Sequence, residues 1–366
     1  MKIAVWKETD PGERRVALTP NVVKKLIAAG HEVLVERGAG ASAGFIDASF
    51  EAAGSVITES ASASADVLAV VNTPSHRVEA RTLVGLLRPL EAPESMLAVA
   101  RQGVTAIAFE LIPRSTRAQP MDALSSQATA AGYEAALLAA ERCNRLLPML
   151  TTAAGTIPPA RALVLGAGVA GLQAIATCRR LGATVAGFDV RAAAAEQVRS
   201  LGATFIDVDF PSQDAALSGG YARELEAEAE QRVLEGLADP VESADIVIST
   251  AAIPGRPAPL LITKTMVETM RPGSVIVDLA ASTGGNCELT RPGEVVEHNG
   301  VSIVGYTDLA SRKPFDSSQM YARNMAALLE LLGEDGEPDF TDDILAAATV
   351  THQGEVRNPR VRALLP

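Results

Sequence analysis

Short apolar runs alternate along this chain with longer segments in which apolar residues recur every three or four positions. The short runs are rich in valine, isoleucine and leucine, which is typical of strands that are buried on both faces of a parallel sheet. The longer segments have the spacing of helices that pack one face against such a sheet. The alternation therefore predicts repeated strand–helix units and an α/β fold with parallel sheets.

The first third of the chain contains one series of these units. Strands are predicted over Ile3–Trp6, Glu32–Glu36, Val67–Val71 and Val104–Phe109. A helix is predicted over Asn21–Ala29, because Thr19 is a suitable N-cap residue and Pro20 suits the first turn. Gly30 follows directly and favours the end of this helix.

A long helix, predicted from about Ala123 to Leu147, separates the first series from a second one. We interpret this helix as a bridge between two lobes. The second series of predicted strands comprises Ala162–Leu165, Thr184–Asp189, Asp245–Ser249, Val275–Leu279 and Val301–Tyr306. A further predicted helix, Asp316–Leu332, is long enough to cross back to the first lobe.

The two series predict two Rossmann-like domains with parallel sheets and a cleft between them. Residues 1–124 and 311–366 are predicted to form a flanking domain, and residues 125–310 to form the nucleotide-binding domain. The length of 366 residues agrees with this division, because it exceeds what one hydrophobic core ordinarily accommodates.

The charge and the cysteines narrow the functional classes. The net charge of −12 disfavours nucleic acid and anionic lipid as partners. The three cysteines have no paired spacing, which favours a reducing compartment and argues against a disulfide framework or a zinc site. No apolar run reaches the roughly 18–20 residues that cross a bilayer. We therefore expect a cytoplasmic chain with no metal site and no membrane span of its own.

The strongest chemical motif is a glycine-rich turn, Gly166-Ala167-Gly168-Val169-Ala170-Gly171, between a predicted strand and a predicted helix. In a dinucleotide-binding turn, Gly166 reverses the chain, Gly168 lets a pyrophosphate approach the backbone, and Gly171 lets the helix pack on the strand. The free amides and positive dipole of the helix N-terminus favour phosphate binding. A purely structural glycine turn is the alternative, and the flanking strand and helix disfavour it.

An acidic residue occurs where such a turn requires one. The next predicted strand ends at Asp189, 18 residues after Gly171, and an acid there hydrogen-bonds the ribose hydroxyls of a dinucleotide. A carboxylate also repels a 2′-phosphate, so NAD(H) is expected rather than NADP(H). Val190 and Arg191 follow, and the arginine would partly offset that charge. We assign all three residues to the cofactor site.

Two further strand ends should lie at the same edge of the sheet, where ligands of such sheets bind. Ala251 and Ala252 follow one of these strands, and Asp278 lies at the end of the other, before Gly284 and Gly285. We assign the two alanines and Asp278 to the cofactor site. A purely structural role for the paired glycines remains the alternative.

The segment from Arg114 to Gln127 concentrates polar side chains just before the long helix. Gln119, Asp122 and Ser125 are spaced at three, so one helical turn would place them on one face. An amide, a carboxylate and a hydroxyl can hold a nicotinamide carboxamide in the single orientation that hydride transfer needs. Asp122 alone could equally be a helix cap, but that alternative explains neither Arg114 nor Gln119.

The chain offers few candidates for a general base. Oxidation of an amino or hydroxy acid releases a proton and usually needs a positioned base. Of the four histidines, only His76 could approach the predicted cleft, and a role in a turn is favoured for it. A direct exchange of hydride between two nicotinamides needs no such base.

The chain resembles, over nearly its full length, the NAD(H)-binding domain I, the first part of the alpha subunit, of the Re/Si-specific, proton-translocating NAD(P)+ transhydrogenases. It also resembles the related alanine dehydrogenases. The segment Glu13-Arg14-Arg15-Val16-Ala17-Leu18-Thr19-Pro20 is shared by both families. The segment from Arg114 to Gln127 is similar to the transhydrogenase site loop, which implies site roles for Arg114, Gln119, Asp122 and Ser125. Gly219-Gly220-Tyr221-Ala222 resembles a mobile loop whose tyrosine closes over the nucleotide, which implies that role for Tyr221.

The resemblance implies a homodimeric subunit that binds NAD(H) and passes hydride directly to NADP(H) bound by a partner beta subunit. A membrane-spanning partner would couple this transfer to proton translocation and hold the chain at the inner face of the cell membrane. The alanine dehydrogenase pattern places a catalytic lysine and histidine at positions occupied here by Asn72 and Arg88, which weighs against that activity. A stand-alone amino-acid dehydrogenase and a non-catalytic NAD(H)-sensing module remain the alternatives.

Overall fold

The computed structural model describes residues 1–62, 65–208, 220–253, 255–307 and 309–365, with only the backbone of 220–227. The strands, in chain order, are β1 (Lys2–Val5), β2 (Glu32–Glu36), β3 (Val56–Thr58), β4 (Val67–Asn72), β5 (Thr82–Leu86), β6 (Thr105–Ala108), β7 (Leu150–Thr152), β8 (Gly155–Ile157), β9 (Arg161–Leu165), β10 (Thr184–Phe188), β11 (Thr204–Phe205), β12 (Ile246–Ser249), β13 (Val275–Asp278), β14 (Val295–His298), β15 (Val301–Val304), β16 (Thr349–His352) and β17 (Glu355–Val356). The α-helices are α1 (Pro20–Ala28), α2 (Asp47–Ala52), α3 (Pro93–Ala100), α4 (Ala123–Arg142), α5 (Val169–Arg180), α6 (Ala194–Ser200), α7 (Gly220–Glu242), α8 (Lys264–Thr269), α9 (Pro314–Leu329), α10 (Asp343–Ala348) and α11 (Pro359–Arg362).

The chain divides into two compact units. Unit 1 comprises residues 1–130 and 310–366, and unit 2 comprises residues 131–309. The predicted α/β fold with two Rossmann-like domains and parallel-rich sheets is confirmed.

Unit 1 is built on an eight-stranded sheet. Its order is β3-β2-β1-β4-β5-β6, with all six strands parallel, followed by β16 and β17 as antiparallel edge strands. Ile3 of β1 lies opposite Val33 on one neighbour and Val67 on the other. All of β4 is buried, which explains why its sequence is a continuous apolar run from Val67 to Val71 rather than an alternating one.

The sheet of unit 2 has seven strands and repeats this order over its first five. β11-β10-β9-β12-β13-β15 are parallel, and β14 is an antiparallel edge strand. In both units the chain starts in the middle of the sheet, runs outward to one edge, and returns to fill the other side. Ligands of doubly wound sheets bind at the carboxyl ends of the strands where this direction reverses. That point lies between β1 and β4 in unit 1 and between β9 and β12 in unit 2.

The elements differ from the sequence prediction mainly at short strands and helix ends. The predicted long helix ends at Arg142, not Leu147, and an exposed hairpin of β7 and β8 follows it. Strands β3 and β5 were not predicted, because one has three residues and the other contains Gly85, which weakens a strand pattern. Thr19 and Pro20 begin α1 as expected, although the Thr19 side chain makes no capping hydrogen bond.

Among the described residues, no helix has both the length and the apolar character that crossing a membrane would require.

Candidate nucleotide-binding site

The glycine-rich turn joins β9 to α5 at the point where the sheet of unit 2 reverses direction. Gly166 has a φ of +92°, a conformation that favours glycine, and a Cβ on it would lie 2.7 Å from Oγ1 of Thr250. A Cβ on Gly171 would lie 1.8 Å from the carbonyl oxygen of Gly166, so only glycine lets α5 pack this closely on the turn. Gly168 is the N-cap of α5, and a Cβ there would meet nothing within 4 Å.

These three positions have the geometry that phosphate binding at a helix N-terminus requires. The backbone is open at Gly168, where the first amides of α5 begin. Val169, the first residue of α5, has 42% of its surface exposed, while Ala170 is half-buried, with its carbonyl oxygen close to Gly132 of α4. The turn is therefore accessible on one side and closely packed on the other.

A helical glycine that the sequence reasoning overlooked explains this packing. A Cβ on Gly132, in the middle of α4, would lie 2.1 Å from the carbonyl oxygen of Ala170. Glycine inside a helix costs about 1 kcal/mol relative to alanine, so its presence usually has a packing reason. The glycine inside an otherwise alanine-rich helical segment was the available signal.

Asp189 lies directly after β10, beside the turn. Its carboxylate accepts a hydrogen bond from the amide of Ala167 at 2.8 Å, and from both the amide and the guanidinium of Arg191. Burial alone would raise the pKa of Asp189, but the hydrogen bonds from Arg191 and Ala167 outweigh it and hold the pKa below its ordinary value. The next residue, Val190, has 56% of its surface exposed.

The loop after β12 is held by Asn286, which is fully buried. The Asn286 side chain donates to the carbonyl oxygens of Ala251 and Pro259 and accepts from the amide of Ala251 at 3.1 Å. Ala252 and Ile253 are left exposed, the latter with 46% of its surface. Ile253 is therefore an exposed apolar side chain on the same strand-end loop as Ala251 and Ala252.

Asp278 occupies a different position from the one expected of a direct cofactor contact. It is fully buried, and its carboxylate accepts hydrogen bonds from three backbone amides and from Oγ1 of Thr290. The amides belong to Ala280, Asn286 and Cys287. With its acceptor sites filled by the loop, Asp278 fits a role in shaping that loop better than one in touching a nucleotide.

The polar segment of unit 1 separates into a bonded pair and exposed side chains. Asp122 accepts from the amide of Ser125 at 2.8 Å and from its hydroxyl at 2.6 Å. Gln119 begins a 3-10 turn that ends at Met121, and α4 starts only after Asp122. The three residues therefore do not share one continuous helix, because the backbone at Asp122 leaves helical geometry with a ψ of 77°. Gln119 and Arg114 are exposed.

The structure reveals a buried polar network that connects this segment to the motif near the N-terminus. Arg15 and Glu13 form an ion pair at 2.6 Å with both side chains almost fully buried. Arg15 also donates to the side chain of Gln127 at 2.9 Å, and Asn72 donates to Glu13 at 2.9 Å. Sequence reasoning could not find these contacts, because Arg15 and Gln127 lie 112 positions apart.

Two predicted features fall outside the described atoms. The side chain of Tyr221 is not among them, although its backbone lies in α7. The glycine-containing loop that precedes it also lies outside the described residues.

Two doubly wound sheets, one with a glycine-rich turn and an acid at the next strand end, define a dinucleotide-binding protein of the Rossmann class. The chain matches alanine dehydrogenase/PNT, N-terminal domain, over residues 4–131, and alanine dehydrogenase/PNT, C-terminal domain, over residues 135–359. It belongs to the alanine dehydrogenase/PNT family, which confirms the resemblance seen in the sequence.

Its relatives include transhydrogenase subunits and alanine dehydrogenases. It is 45% identical to the first part of NAD(P) transhydrogenase subunit alpha of Rhodospirillum rubrum, over 98% of each chain. It is 30% identical to alanine dehydrogenase 1 of Staphylococcus aureus, over 98% of this chain and 95% of that protein.

Solved structures show the same similarity. A transhydrogenase structure from Sinorhizobium meliloti matches with a TM-score of 0.87 and 44% identity, covering 97% of this chain and all of the other. An L-alanine dehydrogenase matches with a TM-score of 0.81 and 27% identity, covering 99% and 98% of the two chains.

Proposed function

We propose that this chain is the NAD(H)-binding subunit of a proton-translocating NAD(P)+ transhydrogenase. It would pass hydride directly from NADH to NADP+ held by a partner beta subunit. The proposal goes beyond family membership, because the same family also includes alanine dehydrogenases.

The choice between these two activities rests on the residues at the end of β4. Asn72 lies there, donating to Glu13 and accepting from Arg88 at 3.4 Å. Neither the amide of Asn72 nor a guanidinium can take up a proton at neutral pH, so neither can serve as the base that oxidation of an amino acid needs. His76 is exposed on the loop that follows. Hydride exchange between nicotinamides makes no such demand.

The described geometry supports a division of roles in unit 2. The amides at the start of α5, from Gly168 through Ala170, would bind the pyrophosphate, and Asp189 would accept the ribose hydroxyls. Val190 and Ala252 would line the nucleotide from neighbouring strand ends, with Ala251 held in place by Asn286.

In unit 1, the exposed side chains of Arg114 and Gln119 would orient the dihydronicotinamide. Asp122 and Ser125, already bonded to each other, would keep this segment in shape. Tyr221 would help to close the site over the nucleotide. NADH supplies the hydride, and the residues of this chain position the ring so that transfer needs little further motion.

The partners in this proposal are a second copy of the chain, the beta subunit that binds NADP(H), and a membrane-spanning subunit that conducts protons. Such partners would hold the chain on the inner face of the cell membrane. The relatives named as an alpha subunit, or as the first part of one, support an assembly of several subunits.

A reconstituted exchange assay tests the function. The chain is mixed with its NADP(H)-binding partner, and hydride transfer from NADH to a thionicotinamide analogue of NADP+ is followed by absorbance. We expect transfer that requires both proteins. Ammonia-dependent oxidation of NADH by pyruvate with this chain alone would indicate an alanine dehydrogenase instead. Tight NADH binding without exchange would indicate a sensing module.

A further inference from the structure

The carboxylate of Asp189 has all of its acceptor positions filled. A carboxylate offers about four lone-pair sites. One oxygen accepts from the Ala167 amide at 2.8 Å and from Nη2 of Arg191 at 2.9 Å. The other accepts from the Arg191 amide at 2.8 Å and from Nε at 2.9 Å. A ribose diol would have to donate to this same carboxylate, so two of the four donors must give way.

The four donors differ in how easily they can be displaced. The amides of Ala167 and Arg191 are fixed by the turn and by the strand end. The guanidinium of Arg191 is attached to a flexible side chain whose surface is 63% exposed, whereas that of Asp189 is 6% exposed. The contact is bidentate and charge-assisted, but the exposed guanidinium can rotate away into water, whereas the two backbone amides cannot move. The guanidinium is therefore the donor that ribose hydroxyls would replace.

The Asp189–Arg191 pair also reduces the negative charge next to the ribose of a bound nucleotide. An unpaired Asp189 would repel a phosphate on the ribose 2′-oxygen, but Arg191 compensates that charge. A guanidinium released from Asp189 is in addition a fork of donors suited to phosphate. Within the described residues, the Arg191 side chain bonds only to Asp189.

We propose that Arg191 is a specificity-determining residue of the nucleotide site, which competes with ribose hydroxyls for Asp189 and lessens the rejection of 2′-phosphorylated nucleotides. This inference rests on the proposed function, since it requires unit 2 to bind the adenosine ribose of NAD(H). It predicts that the chain selects less sharply against a 2′-phosphate than Asp189 alone would.

The test uses a matched pair of probes, ADP-ribose and 2′-phospho-ADP-ribose, titrated calorimetrically into the full-length chain. Arg191→Ala should bind ADP-ribose about threefold more tightly, because the competing donors are gone. It should bind the 2′-phosphorylated probe about tenfold more weakly, because the compensating charge is gone. Arg191→Lys keeps the charge without the bidentate fork. The ratio of its affinities for the two probes should therefore fall between those of the wild-type chain and Arg191→Ala.

Arg199→Ala is the matched control. Arg199 is also an exposed arginine of unit 2, 58% exposed, and it pairs with Asp207 at 3.8 Å rather than with Asp189. Its removal should leave the ratio of the two affinities unchanged. Far-ultraviolet circular dichroism and the melting temperature show whether each variant is folded. If Arg191→Ala is not folded, Arg191→Lys is compared with the wild-type chain instead.

The outcomes separate this inference from the function on which it rests. If the wild-type chain fails to bind ADP-ribose, the proposed nucleotide site is wrong and the inference falls with it. If the wild-type chain binds but Arg191→Ala weakens both probes equally, or leaves their ratio within twofold, only the role of Arg191 is overturned.

Discussion

Asp122 combines a helix cap with a proposed role in keeping the polar segment of the site in shape. Its carboxylate caps the first turn of α4 through the amide and hydroxyl of Ser125. Capping of this kind typically contributes about 1 kcal/mol. The contact fixes the point at which the exposed Gln119 turn joins the helix, so a small change at Asp122 alters the position of the polar segment without removing it.

We expect Asp122→Asn to slow hydride transfer by about ten- to a hundredfold while leaving NADH affinity nearly intact, because misplacement of an orienting group affects the reaction more than binding. Stopped-flow transfer and equilibrium fluorescence titration measure the two quantities. Asparagine is as good an N-cap residue as aspartate, so the melting temperature should change little.

The control for this substitution is Asp47→Asn, which makes the same change at another carboxylate of unit 1, where Asp47 accepts from the amide of Gly38 at 2.8 Å. It should leave hydride transfer unchanged. A variant of Asp122 with normal transfer rates but lost NADH binding would contradict the role assigned to this residue.

At the level of elements, α4 and the glycine-rich turn are matched in shape. Gly132 removes the one side chain that would strike the carbonyl oxygen of Ala170, so the helix and the turn lie in close contact. Protein interiors are packed tightly enough that such a contact cannot absorb an added methyl group without movement.

Gly132→Ala should therefore displace the start of α5 and lower NADH affinity by about tenfold, although alanine favours the helix itself. Fluorescence titration with NADH measures the effect. Gly236→Ala is the control, because it also replaces a glycine inside a helix of unit 2, but the atoms nearest to its Cβ, from 2.7 Å, belong to the side chain of Val208 and not to the glycine-rich turn. Equal losses of affinity in the two variants would argue against a specific role for Gly132.

The exposed hairpin is the element that best supports the proposed homodimer. Every residue of β7 and β8 is exposed, and a two-stranded hairpin alone is only marginally stable in water. Its apolar side chains, with those just before it, remain accessible in the single chain: Leu146, Met149, Leu150 and Ile157. Burial of these side chains against a second copy would stabilise both the hairpin and the pair.

If the proposed dimer forms through this hairpin, replacing both Met149 and Ile157 by aspartate should yield a monomer, because four charges would have to be buried in a symmetric interface. Sedimentation velocity measures the mass. The control is Ile46→Asp, an equally exposed apolar position of unit 1, with 65% of its surface accessible. A wild-type chain that sediments as a monomer at micromolar concentration would contradict the proposed dimer.

At the scale of the whole molecule, two half-buried carboxyls of unit 1, those of Glu8 and Glu110, make stability depend on pH. Burial raises the pKa of Glu8 to about 8, although the amides of Val71 and Asn72 partly oppose this shift. Burial also raises the pKa of Glu110. A carboxyl with a raised pKa holds its proton more firmly in the folded state than in the unfolded state, so its contribution to stability is fully present below the ordinary pKa of 4.5 and is lost as the pH rises through 8.

The free energy of unfolding should therefore fall between pH 5 and pH 8, with Glu8 contributing up to about 1.4 kcal/mol per pH unit. Glu8→Gln should flatten this dependence, since the amide does not titrate. Urea denaturation at a series of pH values measures both slopes. Identical slopes for the wild-type chain and Glu8→Gln would contradict this prediction, because they would show that Glu8 is ionised in the folded state as well as in the unfolded state.

Much of unit 2 was predictable because its signals are local. A turn that requires a positive φ at Gly166, a helix that begins at Val169 and an acid at Asp189 are all encoded within a few neighbouring residues. The contacts that the sequence did not reveal depend on side chains brought together by the fold, such as Arg15 with Gln127. Asp278 shows the same limit, since its position at a strand end was foreseen but the inward direction of its carboxylate was not.

The shared strand order of the two sheets has a consequence for how many nucleotides one chain can hold. In unit 1, the carboxyl of Glu8 already accepts hydrogen bonds from the amides of Val71 and Asn72 at the point where the sheet reverses direction. The equivalent region of unit 2 leaves the backbone at Gly168 uncovered. In unit 1 a side chain of the protein itself therefore occupies the place that unit 2 leaves open. Equilibrium dialysis should find one bound NADH per chain.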